Sequence, residues 1–403
     1  MKRIVTAMAV LVATAGILSA GDVSVALEAK VNVWSKTGAD TQGFNIVQGD
    51  DYLAQLRLGY DAEFGGGYIR LRSGEMNRNN IWTGKSPWTA DAKSFGMDRW
   101  GMYIKPVKQF KFTISNAAYE VFAESINWEP IFGAGFFENS SAPHAVLELF
   151  PVDGLTIAGG ITAEDEDTGS YGITDNPFST FEGVVKYDIA NIGSAALEFS
   201  NASKNDSGFG KDGDVKRIGA QFNYTGVDKL SVLAGYSAVI VSGDAFDDAN
   251  DILDAAGETK LSSLAQNRLE LFVTYSGIDK LTLSLYEAAL LRGEGWGDFG
   301  NRLAVKVAYQ ATDKLSFWTR ENLFMNYGSN NHGWGAYQLA NSSDKDQKGL
   351  RAELYGSYDF GKGIGTYVGV RFDYDMTSEG PSKPTDDDAR LTYSIPVGIT
   401  VNY

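Results

Sequence analysis

Ala54-Gln55-Leu56-Arg57-Leu58-Gly59-Tyr60-Asp61-Ala62-Glu63-Phe64 is the stretch whose pattern decides the fold. Ala54, Leu56, Leu58, Tyr60, Ala62 and Phe64 share one side of an extended chain, and Gln55, Arg57, Gly59, Asp61 and Glu63 share the other. Side chains alternate across a strand, whereas a helix would scatter both sets around its circumference. This is a strand with one apolar and one wet face. Gly65-Gly66-Gly67 then reads as a tight turn, after which Ile69 and Leu71 resume the alternation.

The same pattern runs outward in both directions. Upstream, Val23 to Val33 is apolar at odd positions and mostly polar or small at even ones. Downstream, short turns recur at Lys105-Pro106-Val107-Lys108, at Pro151-Val152-Asp153-Gly154 and from Asp188 to Gly193. Three turns are near copies: Tyr224-Thr225-Gly226-Val227-Asp228-Lys229-Leu230, Tyr275-Ser276-Gly277-Ile278-Asp279-Lys280-Leu281 and Tyr309-Gln310-Ala311-Thr312-Asp313-Lys314-Leu315. Tyr358-Asp359-Phe360-Gly361-Lys362 is a looser version.

Between these hairpins lie long connections rich in Gly, Asn, Asp and Ser. They cover 34–51, 74–94, 117–143, 163–177, 201–214, 240–265, 293–300, 325–347 and 375–388. Strict alternation of short and long connections predicts an all-β, transmembrane, antiparallel up-and-down barrel of about 18 strands, with 16 as the lower count. Short turns would be periplasmic and long loops external. Phe64, Tyr187, Tyr224, Tyr275, Tyr309 and Tyr358 all fall where a strand enters a short turn. On a barrel they would form one interfacial aromatic girdle.

The final strand alternates Leu391, Tyr393, Ile395, Val397, Ile399, Val401 and Tyr403 with Thr392, Ser394, Pro396, Gly398, Thr400 and Asn402. Here the chain resembles the bacterial outer-membrane porin superfamily, whose members commonly end in an amphipathic strand closed by an aromatic, usually Phe. Tyr403 is the departure. The resemblance covers the whole chain after residue 20 as architecture. It implies a cell outer membrane location, a homotrimer, and outer-membrane lipid as the surrounding partner.

The N-terminus agrees. Lys2 and Arg3, an apolar run from Ile4 to Leu18, and small residues before Gly21 have the order of a secretory signal peptide, so residues 1–20 are expected to be removed. The barrel then occupies 21–403. A formal charge of −16 argues against nucleic acid as a partner. With no cysteine, disulfides and thiol chemistry are excluded. The only histidines are His144 and His332, and no motif marks a serine partner for either, so no enzyme, no metal and no cofactor is expected.

About 18 strands enclose a lumen too wide for side chains to fill. It should be a water-filled channel for passive diffusion of ions and small hydrophilic solutes. The third long loop, 117–143, carries Glu120, Glu124, Glu129 and Glu138 among Tyr119, Phe122, Trp128, Phe132, Phe136 and Phe137, and is expected to fold inward as a constriction. Porins usually constrict at this loop, and Glu129-Pro130-Ile131-Phe132-Gly133 is loosely similar to a Pro-Glu-Phe-Gly stretch found there. Alternation places Arg57, Arg70, Arg72 and Arg99 on the inner wall, with Arg371 and Arg390 on the last two strands. Closure would make these a contiguous basic arc facing the acidic loop, a transverse field that favours polar solutes.

The loops themselves are acidic, as at Glu164-Asp165-Glu166-Asp167, at Asp244, Asp247, Asp248, Asp251 and Asp254, and at Asp386-Asp387-Asp388. Acidic mouths concentrate cations, so a cation preference is expected. The rivals are a substrate-selective channel for sugars or carboxylates, to which the strand count is similar, and a surface adhesin or structural barrel. A line of inward aromatics would favour sugars, and Tyr68, Tyr103 and Trp318 are the candidates.

Overall fold

The computed structural model describes residues 21–37, 41–45, 54–73, 95–116, 144–162, 164–166, 170–172, 181–201, 215–255, 264–292, 300–325, 348–378 and 390–402. The expected signal peptide and the 117–143 loop with Glu120, Glu124, Glu129 and Glu138 lie outside these residues. So does the side chain of Arg72.

The strands follow the chain as β1 (Gly21–Thr37), β2 (Thr41–Asn45), β3 (Ala54–Ala62), β4 (Gly65–Ser73), β5 (Phe95–Val107), β6 (Phe110–Ser115) and β7 (His144–Leu149). Next come β8 (Leu155–Thr162), β9 (Glu164–Glu166), β10 (Ser170–Gly172), β11 (Glu182–Ile189), β12 (Gly193–Asn201), β13 (Val215–Val227) and β14 (Leu230–Val241). A helix, α1 (Gly243–Ala255), precedes β15 (Leu264–Ile278), β16 (Leu281–Arg292), β17 (Gly300–Gln310) and β18 (Leu315–Met325). The chain ends with β19 (Lys348–Gly361), β20 (Ile364–Asp375) and β21 (Leu391–Asn402).

Each long strand pairs antiparallel with its neighbour in sequence, and β1 pairs with both β3 and β21. The ring is therefore closed, an 18-stranded antiparallel barrel. Closure pairs every strand edge, which a backbone in hydrocarbon requires. The 16-strand count is set aside. β2 lies against the upper part of β1, and β9 with β10 forms a separate hairpin, so neither belongs to the ring.

Parity along the strands sorts the side chains. Val23, Leu27, Leu147, Leu197, Leu285, Val305, Leu354 and Ile399 are exposed on the outer surface, as a lipid-facing band requires. Tyr187, Tyr275, Tyr309 and Tyr358 are exposed at the short-turn end, where the girdle is expected. Phe64 is exposed too, but it sits in the turn itself: β3 stops at Ala62, and the three glycines open β4 instead of forming the turn. A side chain on Gly66 would meet the Tyr103 ring, so this strand start needs its glycine.

Sequence and structure part at other connections. The 34–51 loop gives up residues 34–37 to β1 and holds β2, the 163–177 loop holds the β9–β10 hairpin, and the 240–265 loop contains α1. The three near-copy turns also diverge. Lys229 and Lys280 adopt left-handed backbone (φ 62° and 60°), and the Tyr224 and Tyr275 rings fold over Gly226 and Gly277. The third copy has Ala311 in the glycine position. Its strand ends earlier, and Thr312 Oγ1 accepts from the backbone N–H groups of Lys314 (3.2 Å) and Leu315 (3.0 Å). The third turn thus differs in having Ala311 for glycine and Thr312 for Val227 or Ile278.

The outer face carries two carboxylates at mid-strand on β16 and β18. Glu287 on β16 and Glu321 on β18 share the outward parity of Leu285 and Leu323, at mid-strand. Asn301 Nδ2 donates to the Glu287 carboxylate, and Thr319 Oγ1 lies 2.7 Å from Glu321 Oε1.

Candidate functional site on the inner wall

The inward residues of β17 to β20 form the most developed charged cluster. Cross-strand register sets Lys306 opposite Arg320, Arg320 opposite Glu353, and Glu353 opposite Arg371. Arg320 Nε donates to Glu353 Oε2 at 2.7 Å. Toward the loops, Asp373 accepts from Arg351 Nε at 2.5 Å and from Arg371 Nε at 3.0 Å. Charged hydrogen bonds of this kind are stronger than neutral ones, and they hold the guanidinium planes in place. Among the described residues Lys306 has no carboxylate in ion-pair range, while Arg320, Arg351 and Arg371 each have one. The cluster is built and partly neutralised, with one cation left over.

Aromatics lie on the short-turn side of these cations. Trp318 stacks on Tyr355 with ring centres 4.3 Å apart and planes 12° apart, and Tyr355 is tilted against Tyr367 at 6.0 Å. The rings lie against glycines on the next strand. A side chain on Gly369 would meet Tyr355 at 2.5 Å, and one on Gly398 would meet Tyr367 at 2.2 Å. Lys306 Nζ lies 5.1 Å and the Arg320 guanidinium 5.4 Å from the centre of the Trp318 ring. Both are within cation–π range.

A second station sits across the closure. Arg57, Arg70 and Arg99 are register neighbours on β3, β4 and β5, as alternation placed them. The Arg57 guanidinium lies 4.6 Å over the Tyr68 ring. Arg57 is exposed, and among the described residues no carboxylate lies in ion-pair range of it. Tyr103 is inward as well and donates from its hydroxyl to Asp61.

The expected contiguous arc is broken. Between Arg371 and Arg57 come β21, with inward Thr392, Ser394, Pro396 and Gly398, and β1, with Glu28, whose carboxylate accepts from Gln55 at 2.8 Å. Arg390 leaves the arc altogether. It precedes β21 and donates to the carbonyls of Asp375 (3.0 Å) and Thr377 (2.9 Å), closing the end of the β20–β21 connection. Sequence reading missed Arg302, Lys306, Arg320, Arg351, Glu353 and Asp373. Their parity was visible, but the ion pairs depend on register between distant strands.

The opposite wall differs. Glu148, Glu182, Glu198 and Glu270 are inward and buried on β7, β11, β12 and β15. Lys111 pairs with Glu148 at 2.9 Å, and the Tyr286 hydroxyl donates to Glu270 at 2.9 Å. Beside them Leu233, Tyr286, Ala288 and Ala304 form a buried apolar cluster with Phe272 on the lumenal side of β14 to β17. A uniformly wet inner face is thus corrected. His144 lies opposite Ser115 in register, and the Ser115 hydroxyl donates to the Trp100 carbonyl at 2.9 Å. Among the described residues no group of three His, Asp or Glu forms a metal site.

No protein-family model matches the sequence, and no curated protein sequence matches it either. Solved structures do match in shape. A BenF-like porin from Pseudomonas fluorescens Pf-5 superposes with a TM-score of 0.59 at 9% identity, covering 96% of this chain and 99% of that one. The fold is that of the outer-membrane porins. Pseudomonas aeruginosa OpdK, solved with vanillate, gives a TM-score of 0.58 at 9% identity over 96% of this chain and 98% of its own. Pseudomonas aeruginosa OccK2 (OpdF), solved with glucuronate, gives 0.58 at 10% identity over 95% and 96%. At such identity the porin fold is what the chains share, and the wall residues must be judged on their own chemistry.

Proposed function

We propose that the protein is a porin of the bacterial outer membrane, a passive and non-enzymatic channel for ions and small hydrophilic solutes. The observation that carries this reading is the sorting of one closed sheet into an apolar outer band and an inner wall bearing Arg57, Lys306, Arg320, Arg371, Glu148 and Glu270. A charged and polar inner wall with Arg57 exposed on it suits a water-filled lumen, and a barrel this wide leaves room for one. In this reading residues 1–20 direct export. The acidic residues favour small cations, among them the exposed Asp244, Asp247, Asp251 and Asp254 of α1.

A carboxylate-selective channel is the second reading. It is supported by Lys306 and Arg57, two inward cations with no carboxylate partner among the described residues. Assembly as a homotrimer belongs to the same proposal. The outward Glu287 and Glu321 support it, because lipid offers carboxylates no donors and another copy can supply them.

Planar-bilayer recording in asymmetric potassium chloride tests the channel. Stepwise ohmic currents are expected, with a reversal potential on the potassium side. Folded protein that carries no current rejects the channel, whereas a reversal potential on the chloride side rejects the cation preference alone.

A further inference from the structure

The short-turn rim is built unevenly. Over β3 to β12 the turns are Glu63-Phe64, Lys108-Gln109, Phe150 to Gly154 and Ala190 to Ile192, which share no motif. From β13 to β18 three turns in succession place an acid directly before a base: Asp228-Lys229, Asp279-Lys280 and Asp313-Lys314, all exposed. In the next turn, before Lys362, Asp359 is engaged by the Gly361 N–H at 2.7 Å. Lys229 and Lys280 hold left-handed backbone, a conformation in which Asn is favoured over other residues with a Cβ. Asn191 has the same conformation in the β11–β12 turn (φ 61°), so this fold accepts the better residue. Turn geometry does not call for lysine, and the reason for its place lies in its side chain.

The backbone of these turns is pinned. The carbonyls of Lys229, Lys280 and Lys314 accept from the N–H groups of Ser276 (2.9 Å), Gln310 (2.8 Å) and Asp359 (2.8 Å), each on the next hairpin. The turns thus stand at a fixed spacing, two strands or about 10 Å apart across the sheet. Among the described residues the side chains of the three Asp-Lys pairs make no hydrogen bond or ion pair. Beside them the surface changes from apolar to polar. Tyr275, Tyr309 and Tyr358 are exposed at the strand ends, and Val227, Ile278 and Phe360 are exposed at the turns. An aromatic belt with apolar tips beyond it sets these turns at the lipid–water boundary, where a lysine stem lies along apolar surface and its ammonium reaches headgroups.

We infer that this arc binds zwitterionic phospholipid headgroups that join a phosphate to a primary ammonium, each Lys donating to the phosphate and the Asp before it accepting from the ammonium. Each pair is neutral in sum, so the arc does not simply attract anionic lipid. A phosphate ester without an ammonium meets the Asp as a like charge, and a quaternary ammonium has no N–H to donate to it. The inference rests on the barrel's place in the outer membrane and does not require that the channel conduct.

The folded barrel in detergent is offered equal amounts of dioleoyl phosphatidylethanolamine, phosphatidylcholine and phosphatidylglycerol, and retained lipid is counted by native mass spectrometry. Phosphatidylethanolamine is expected to be retained about two- to fivefold over each of the others, the worth of one exposed ion pair. Lys229→Asn, Lys280→Asn and Lys314→Gln together should lower its retention by a similar factor, and Asn suits the left-handed backbone, so the turns stay folded. Lys229→Arg, Lys280→Arg and Lys314→Arg together keep the cations and should keep the preference, which separates binding from turn packing. Asp228→Asn, Asp279→Asn and Asp313→Asn together should move the preference to phosphatidylglycerol, because the lysines then act alone. Lys108→Gln with Asp153→Asn, on the other arc, should change nothing.

Equal retention of the three lipids overturns the inference. So does phosphatidylglycerol exceeding phosphatidylethanolamine on the unaltered protein, which is plain attraction of anions to lysine. A preference that survives loss of the three lysines places the lipid elsewhere and overturns it as well. Bilayer currents test the channel separately. A barrel that conducts without lipid preference keeps the channel and loses this site, and one that holds the lipid but passes no current keeps the site and loses the channel.

Discussion

The two faces of β16, β17 and β18 carry charge in opposite ways. Inside, Lys306 and Arg320 stand over Trp318, and Glu353 from β19 neutralises part of them. Outside, on alternate residues of the same strands, Glu287 and Glu321 interrupt a mainly apolar surface that includes Leu283, Leu285, Val305 and Phe317. Inner charges are paired with one another at Arg320, Arg351 and Arg371. Among the described residues the outer ones have only Asn301 and Thr319. The cost of a charge on this barrel is therefore set by residue parity, and consecutive residues can differ by several kcal/mol.

The largest expected effect tests parity directly. Val305 is exposed at mid-strand on the outer face, and Lys306 is the next residue and points inward. Val305→Arg should lower the unfolding free energy in lipid by about 2–4 kcal/mol, the cost of a cation at the bilayer midplane. Lys306→Leu should change it by less, about 0.5–1 kcal/mol, the worth of its cation–π contact with Trp318. Urea titration in lipid vesicles reads both. Equal losses would mean that the two faces do not see different solvents.

That parity was legible before any coordinates. Leu281, Leu283 and Leu285 with Thr282 and Ser284 announce both faces of β16, and the polar turn residues announce its ends. Register was not legible. Arg320 and Glu353 are 33 residues apart, and nothing in either strand says which rung meets which. The sequence pattern also treated inward residues as wet one by one. Leu233 and Tyr286 share that parity yet pack into a buried cluster, because their cross-strand partners Phe272 and Ala304 are apolar as well. The arginines nearest the chain ends drew attention because closure makes their strands neighbours. The stronger cluster, at Lys306 and Arg320, needed the rungs. The α1 segment, rich in Asp and Ala, has the composition of a loop and forms a helix.

A smaller effect is expected from the outer carboxylates. Replacing Glu287 and Glu321 together with leucine should stabilise the separated barrel by about 1 kcal/mol, since an acid on the lipid face costs less than the 2–4 kcal/mol of a base. The same change should lower the oligomer fraction at fixed protein-to-detergent ratio, because it removes the groups that need a partner. Sedimentation in detergent gives the oligomer fraction. An unchanged oligomer would place its contact on another face and leave the local donors as the reason these acids are tolerated.

The coupling between Thr319 and Glu321 decides between those reasons. Thr319 Oγ1 lies 2.7 Å from Glu321 Oε1 and 2.9 Å from the Glu353 carbonyl, and one hydroxyl proton cannot serve both fully. If it serves the carboxylate, Thr319→Val leaves a charged group with one donor fewer and costs about 1–2 kcal/mol, in the range of a hydrogen bond to a charge. In a Glu321→Leu background the same change should be near neutral, because the carbonyl is already paired within the sheet and valine suits lipid better than threonine. The difference between the two costs is the coupling of Thr319 to Glu321, expected at about 1 kcal/mol for residues in contact. A cost that is the same in both backgrounds assigns the proton to the Glu353 carbonyl. Glu321 would then have to be satisfied from outside the barrel, by donors of a protein neighbour on this face.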